Sequence, residues 1–327
     1  MTDISLIICS RDRAEALREN LSHIDLQALK AFDVELMLVD SASSDATGEV
    51  MRRFARSADA PVRLLRAEQP GLTRAQNIAL RHAAGELIVF TDDDCRLAPD
   101  YFQALAAHFD RDRFDFGGGR IEHGEANADD RMAATGWLAE DQVMVLPPKD
   151  LLFPGTIQGA NMFAKRAVFE AIGGFSELLG PGSVVGSGAD TEFSQRASHA
   201  GFRGVVLGPV LVRHFHGNQA GSPQAQKVVR RYDRGRGGYF ASLMALGRRE
   251  VFSYWHRWMG VGNRPKRPDI VRLIFELRGA ADFLEASLKL PPPARRGWRA
   301  DYPDVMPPPA DSATGALRSD PAAPTVS

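Results

Sequence analysis

The sequence predicts an α/β fold: a Rossmann-like, mostly parallel sheet with helices on both faces, followed by a helical extension. Three observations predict it. Short apolar runs alternate with longer amphipathic stretches through the first third of the chain. Acidic and hydroxyl residues gather just after those runs, where open parallel sheets bind their ligands. The composition, 44% hydrophobic and 25% charged over 327 residues, is that of a folded chain with material for a sizeable core.

Residues 4–9 (ISLIIC) form a β-branched apolar run, as expected of a strand buried on both faces. Residues 13–30 read as one helix with Ala14, Leu17, Leu21 and Ile24 on a stripe. VELMLVD (34–40) is the second strand and SASSDATG (41–48) a loop. A helix over 47–58 and a strand over 62–67 follow. Pro70-Gly71 opens a helix over 73–84 that Gly85 closes. ELIVFTDDD (86–94) is the fourth strand, and 99–109 the next helix. Further on, 117–122 (GGGRIE) and 155–165 read as strands with Gly-rich turns, 166–172 as a helix, and 188–201 as a capped helix. VVLGPVLVRHFHG (205–217) reads as a strand pair, with His214 and His216 expected to face opposite ways. Basic, aromatic helices run from 227, and the tail after Leu290, with two PPP runs, reads as disordered.

Two cysteines, Cys9 and Cys95, supply neither a disulfide framework nor a cysteine-rich zinc site and suit a reducing compartment. The N-terminal apolar run is too short for a signal sequence, and no stretch approaches the roughly 18 apolar residues of a spanning helix. The expected location is cytoplasmic, with peripheral attachment at the inner face of the cell membrane as an extension. The net charge of −1 hides an asymmetry: residues 227–299 hold 17 Lys and Arg against 6 Asp and Glu, an excess of 11 that leaves −12 elsewhere.

Three polar clusters would face one crevice: Ser10, Arg11 and Asp12 after the first strand, Asp40 to Asp45 after the second, and Asp92 to Asp94 after the fourth. Hard cations such as Mg²⁺ and Mn²⁺ prefer oxygen ligands and often bridge carboxylates to phosphates. Strand alternation would aim Asp92 and Asp94 the same way and Asp93 the other. The triplet alone also suits a solvated loop capping the helix near Pro99; its place in the shared crevice tips the balance toward a cation–diphosphate site. CSRDR stands where a G-x-G-x-x-G fingerprint would follow the first strand, and no Walker A sequence occurs, which disfavours a dehydrogenase. Gly117-Gly118-Gly119 suits a tight turn or a close backbone approach. Asp190 and Glu192 open a helix either as dipole partners or as a general base.

In order, ISLIICSRDRAEAL, VDSASSDATGE, GLTRAQNIALRHAAGELIVFTDDDCRLAPDYF, GANMFAKRAVFEAIGGFSE, GADTEFSQRASHAGFRG and LVRHFHG resemble the family-2 inverting glycosyltransferases over residues 4–217. The resemblance implies a GT-A fold that moves a sugar, with inversion, from a nucleotide-diphosphate donor to a glycan or lipid-linked acceptor in cell-surface polysaccharide synthesis. It implies Mn²⁺ or Mg²⁺ as cofactor. By motif, Ser10 and Arg11 line the nucleotide pocket, Asp40 contacts the base, and Arg74 and Asn77 lie near the nucleotide. Asp92 and Asp94 form the D-x-D pair, Asp94 on the metal and Asp92 shared with the ribose. Asp93 stands beside them at the nucleotide in a structural role. His214 completes the metal set, and Asp190 is the catalytic base.

Two departures stand out. The family's Glu-Asp is Ala189-Asp190, with Glu192 as the available substitute. The family's A-R-N-x-G is Ala75-Gln76-Asn77-Ile78-Ala79, with Arg74 as the replacement cation. The implied division is a nucleotide-sugar-binding half over 1–115, an acceptor-binding and catalytic half over 116–225, a basic helical extension over 226–290 and a Pro-rich tail over 291–327. Arg interleaved with aromatic residues over 227–299 suits an anionic membrane surface better than nucleic acid, for which no module is present. A helical face packed on the catalytic body is the alternative. Two other function classes fit parts of the sequence. One is a non-catalytic nucleotide-sugar-binding protein of the same fold, suggested by Ala189 and Gln76. The other is a nucleotidyltransferase, which the missing Gly-rich loop argues against.

Overall fold

The structure, a computed structural model, describes residues 4–108, 114–128, 138–258 and 270–290. The Pro-rich tail and part of the basic region therefore lie outside the described residues. The first half alternates as its apolar pattern demands: β1 (Ile4–Ser10), α1 (Ala14–Leu21), α2 (Leu26–Ala31), β2 (Val34–Ser41), α3 (Thr47–Ser57), β3 (Val62–Ala67), α4 (Leu72–His82), β4 (Leu87–Asp92), β5 (Cys95–Leu97) and α5 (Tyr101–His108). Then come β6 (Phe116–His123), β7 (Val143–Leu146), β8 (Asn161–Lys165), α6 (Arg166–Ile172), α7 (Ala189–His199), β9 (Gly204–His214), α8 (Pro223–Ala245), α9 (Glu250–Trp258) and α10 (Ile270–Lys289).

One sheet runs through the body in the order β3-β2-β1-β4-β8-β6-β9-β5, with β7 on β9. β3, β2, β1 and β4 are parallel, while β8 runs against both β4 and β6. The second half of the chain therefore extends the sheet of the first. Alternate residues of one strand feed opposite layers, as a period of two requires. Ile7, Met37, Val39 and Phe90 pack with α4, α6, α7 and α8, whereas Leu6, Ile8, Leu38 and Val89 pack with α1, α2, α3 and α5.

Three local expectations change, and one pair of alternatives is decided. The helix over 13–30 is two helices, because Asp25 caps a new one by accepting the N–H groups of Gln27 and Ala28 at 2.9 and 3.0 Å. The pair over 205–217 is a single strand, β9. Two short strands, β5 and β7, went unseen; at three and four residues neither carries a readable period. The glycine triplet is the close-approach case: it lies inside β6, where a Cβ on Gly119 would overlap the Asn161 amide and the Val210 carbonyl.

The basic extension packs rather than projects. A Cβ on Gly237 would overlap the Glu276 backbone and one on Gly279 the Arg234 backbone, so α8 and α10 meet almost backbone to backbone. Arg236 and Arg272 converge on Glu276 at 2.9 and 2.8 Å, and Arg234 pairs with Asp282. Tyr239, Phe240 and Trp255, expected at a lipid surface, are buried in the core.

Asn161 ties the layers together behind the sheet's functional edge. Its buried amide donates to the Arg120 and Val210 carbonyls at 3.0 and 2.9 Å and accepts the Tyr101 hydroxyl at 2.8 Å. Asn161→Ala strands those buried partners at roughly 1–3 kcal/mol each. A loss on the order of 3 kcal/mol in urea unfolding is expected; a change under about 0.5 kcal/mol would show that water replaces the amide.

Candidate active site

The ends of β1 and β4, the loop before α7, the end of β9 and one face of α8 enclose a cleft of about 820 Å³. That size suits a ligand larger than a simple metabolite. Of the expected residues, Ser10, Arg11, Asp92, Asp93, Asp94, Asp190 and His214 line it.

The carboxylate triplet converges by a turn, not by strand alternation. β4 stops at Asp92, so all three side chains reach the cleft, Asp93 included. β5 then pairs antiparallel with β9, setting Cys95 opposite His214. This register brings His214 Nε2 to 3.1 Å from Asp94 Oδ1. Ligand atoms of Asp92, Asp94, Cys95 and His214 all lie within 4.8 Å of one another. Burial, reinforced by Asp92 and Asp94, raises the Cys95 thiol, which leaves two carboxylates and an imidazole as donors. Such an oxygen-rich set fits Mn²⁺ or Mg²⁺.

The electrostatics divide the triplet. Burial, then repulsion from Asp94, pushes Asp92 up to about 7, with His214 opposing. Burial raises Asp93 to about 6 against Arg13 and a hydrogen bond from Ser10. For Asp94 burial also favours the neutral form, but hydrogen bonds and charge from His214 and Arg13 outweigh it and hold the carboxyl low.

Arg13 was not anticipated. It reaches Asp93 at 3.0 Å and Asp94 at 2.6 Å. Its backbone is fixed by stitching between the loops after β1 and β2: Arg13 N–H donates to Thr47 Oγ1 at 3.0 Å, Ala14 N–H to Asp45 at 3.1 Å, and Ser44 N–H to Asp12 at 2.7 Å. The hydroxyl-rich loop 41–48 thus acts as scaffold. In the sequence the only signal was a second arginine after the first strand.

Asp190 lies in the first turn of α7. Its Oδ2 accepts Gly159 N–H at 3.0 Å and its Oδ1 accepts Thr191 N–H at 2.8 Å. Burial raises its pKa above the ordinary carboxylate range despite these bonds. Glu192 is no substitute for the missing acidic neighbour, because it is buried and paired with Arg196 at 2.6 Å.

Three expected nucleotide contacts are not among the cleft-lining residues. Asp40 is buried, paired with Arg66, and accepts Ser43 N–H at 2.9 Å. Arg74 pairs with Glu177 at 2.9 Å, so it does not replace the charge absent at Gln76, which does line the cleft. Asn77 clamps the Phe175 backbone through both its amide atoms. His214 and His216 do not diverge: both line the cleft with ring centroids 5.2 Å apart, since residues two apart in extended chain share a face. Asn218 N–H donates to His216 Nδ1 at 2.9 Å, so neutral His216 carries its proton on Nε2 and donates it to His123 Nδ1 at 3.2 Å.

A parallel block ending in a carboxylate triplet, joined to a second half that brings a further carboxylate into the same cleft, is the plan of the GT-A glycosyltransferases. A mannosyltransferase from Pyrobaculum calidifontis, solved with GDP-Man and Mn²⁺, has this fold at TM-score 0.56 and 20% identity, covering 90% of this chain and 79% of that one. Staphylococcus aureus TarS 1–349 with UDP-GlcNAc matches at TM-score 0.55 and 15% identity, covering 87% and 79%. The chain belongs to glycosyl transferase family 2, whose model matches residues 5–173. Glycosyltransferase AglE of Haloferax volcanii is 24% identical over 269 residues, spanning 81% of this chain and 82% of AglE.

Because the folded chain holds the Asp92 and Asp93 protons more tightly than the unfolded one, ionising them costs stability as pH rises through the ordinary carboxylate range toward about 7. A divalent cation competes with those protons. At pH 8 saturating Mn²⁺ is expected to raise Tm by roughly 5 °C, from about 2.7 kcal/mol at 100 times Kd. The shift should shrink at pH 5.5 and vanish in Asp92→Asn. Equal shifts at both pH values would exclude these carboxylates as ligands.

Proposed function

We propose that the protein is a metal-dependent, inverting glycosyltransferase that moves a sugar from a nucleotide-diphosphate donor to a hydroxyl of a glycan or lipid-linked acceptor, in cell-surface polysaccharide synthesis. One observation carries the reading: Asp190 opens onto the same cleft as the Asp92, Asp94 and His214 donor set. The names of the similar structures, which include GDP-Man, UDP-GlcNAc and Mn²⁺, support the donor class.

In this reading Asp92, Asp94 and His214 hold Mn²⁺ or Mg²⁺, which when bound neutralises charge on the diphosphate. Ser10 and Arg11 hold the nucleotide from the end of β1. Arg13 favours the ionised forms of Asp93 and Asp94 and holds both in place. Asp190 takes the proton of the acceptor hydroxyl as that oxygen attacks the anomeric carbon. The bond from that carbon to the β-phosphate oxygen breaks, and its electron pair leaves with the nucleoside diphosphate. Each Asp190 oxygen is oriented by one backbone N–H, and each keeps lone-pair capacity for the proton. Burial makes Asp190 a stronger base than an exposed carboxylate.

Asp190→Asn keeps the shape and removes the base. Transfer is expected to fall by at least about 10³-fold, within the usual range for lost general-base catalysis, while affinity for the nucleoside diphosphate stays within about twofold. Near-normal turnover would remove Asp190 from the role. In the wild type Asp190 acts only when ionised, so kcat should drop as pH falls through its raised pKa, giving an acid limb above the ordinary carboxylate range. An acid limb unchanged in Asp190→Asn would assign that limb to another group.

Membrane contact belongs to the same proposal, through a different surface from the one the composition suggested. With Arg234, Arg236 and Arg272 paired and Tyr239, Phe240 and Trp255 buried, the support comes from α10, which exposes Ile270, Ile274, Leu277, Leu284 and Leu288 along one stripe. Among the described residues no helix is long and apolar enough to cross a membrane. Flotation with anionic vesicles should carry the protein upward, and Leu277→Glu with Leu284→Glu should return it to the soluble fraction. Wild-type protein that stays soluble sinks the idea.

A further inference from the structure

α8 lies beyond the residues matched by the family model, yet one face of it is a wall of the cleft: Val228, Arg231, Tyr232, Gly235, Arg236 and Tyr239. Their spacing of three and four residues is that of a single helical face. Glycine makes the approach fit. Gly188, at φ 93°, would place a Cβ 2.8 Å from the Gly235 carbonyl oxygen, and a Cβ on Gly235 would stand 2.7 Å from that of Ser187. Real Cβ contacts do not come so close, so α8 sits backbone-to-backbone against the loop that presents Asp190.

Four arginines line the cleft: two are held by carboxylates of the protein, and a third, Arg11, stands with the nucleotide at the end of β1. Arg13 holds Asp93 and Asp94. Arg236 holds Asp233 and Glu276. Arg11 pairs with its neighbour Asp12 at 3.3 Å. Arg231 is exposed, its stem packed over Gly186, and among the described residues it has no carboxylate partner. Beside it, Tyr232 lies in the field of Asp92, Asp190 and Asp94; burial and those charges push its phenol up to about 12, so it remains a neutral donor.

We propose that Arg231 is a leaving-group residue, its guanidinium taking the phosphate oxygens of the nucleoside diphosphate as the sugar departs, with the Tyr232 hydroxyl as a second donor. The inference rests on the glycosyltransferase reading and deepens it. A nucleotide sugar carries two charges on its diphosphate, and breaking the anomeric C–O bond leaves a third on the β-phosphate. Asp92 and Asp94 offset much of a divalent cation's charge, and Arg13 is spent on carboxylates, so the charge that grows on the diphosphate calls for a further cation. Gln76 is neutral, and Arg74 is held by Glu177. Arg231 is the cleft arginine left to meet it, and its planar fork suits phosphate oxygens.

The test measures binding of GDP, UDP, GMP and UMP in Mn²⁺ by calorimetry for the wild type, Arg231→Ala, Arg231→Gln and Arg231→Lys. Wild type should bind one of the two diphosphates. Both neutral variants should weaken that diphosphate about tenfold or more while leaving the matching monophosphate within about twofold. Lysine should restore much of the loss. Hydrolysis of GDP-mannose or UDP-N-acetylglucosamine, whichever the wild type uses, should fall on the order of 100-fold in Arg231→Ala, as when one donor to a developing anion is removed. Unchanged diphosphate affinity, or equal losses for mono- and diphosphate, overturns the assignment. Wild-type protein that binds neither diphosphate overturns the nucleotide-sugar reading itself, and this inference with it.

Discussion

Three adjacent carboxylates at the end of β4, Asp93 buried and its neighbours half-buried, set the terms for everything around them. A carboxylate out of water needs charge or hydrogen bonds to remain ionised, and neighbouring carboxylates raise that demand. The chain answers from two sides. Ser10 and Arg13 come from the end of β1, and His214 arrives on β9 because the three residues of β5 fix its register. Asp92 is the least answered: of the groups acting on it most strongly, only His214 favours the ion, and its pKa rises to about 7. A site left electrostatically incomplete in this way has a physical use for a cation.

The supports of that cluster reach well past the residues that face the cleft. Loops after β1 and β2 are stitched through Asp12, Ser44, Asp45 and Thr47, which holds the Arg13 backbone. Asp12 and Ala42 both adopt φ near +50°, an uncommon conformation for residues other than glycine. Strain of this sort persists where surrounding bonds over-determine it, and here those bonds surround the cleft. Asn161 performs the same service behind the sheet, joining β6, β8, β9 and α5.

The basic extension changes its meaning once folded. Read as composition, it is a cationic, aromatic surface. Folded, Glu276 gathers Arg236 and Arg272 inside the α8–α10 interface, Tyr239, Phe240 and Trp255 enter the core, and Arg231 and Tyr232 turn to the cleft. A net charge along a segment does not say which way each charge points. The apolar stripe of α10, unremarkable as composition, is the surface that remains.

The amino-acid sequence by itself determined the parallel block, because period-two apolar runs and intervening helices are local patterns with little freedom once strands are buried on both faces. It also placed Ser10, Arg11 and Asp92 to Asp94 at one crevice, since strand ends fix where they emerge, whereas Asp190 and His214 joined them only through the family resemblance. What it did not determine was which polar residues are spent within the protein. Asp40, Arg74 and Asn77 are right in type and near in sequence, yet each has a partner far along the chain, in Arg66, Glu177 and Phe175. Nor did it single out Arg13 and Arg231, or set His214 and His216 on one face. Only tertiary structure pairs charges across long separations in the chain, and a side chain's chemistry is decided by what it already holds.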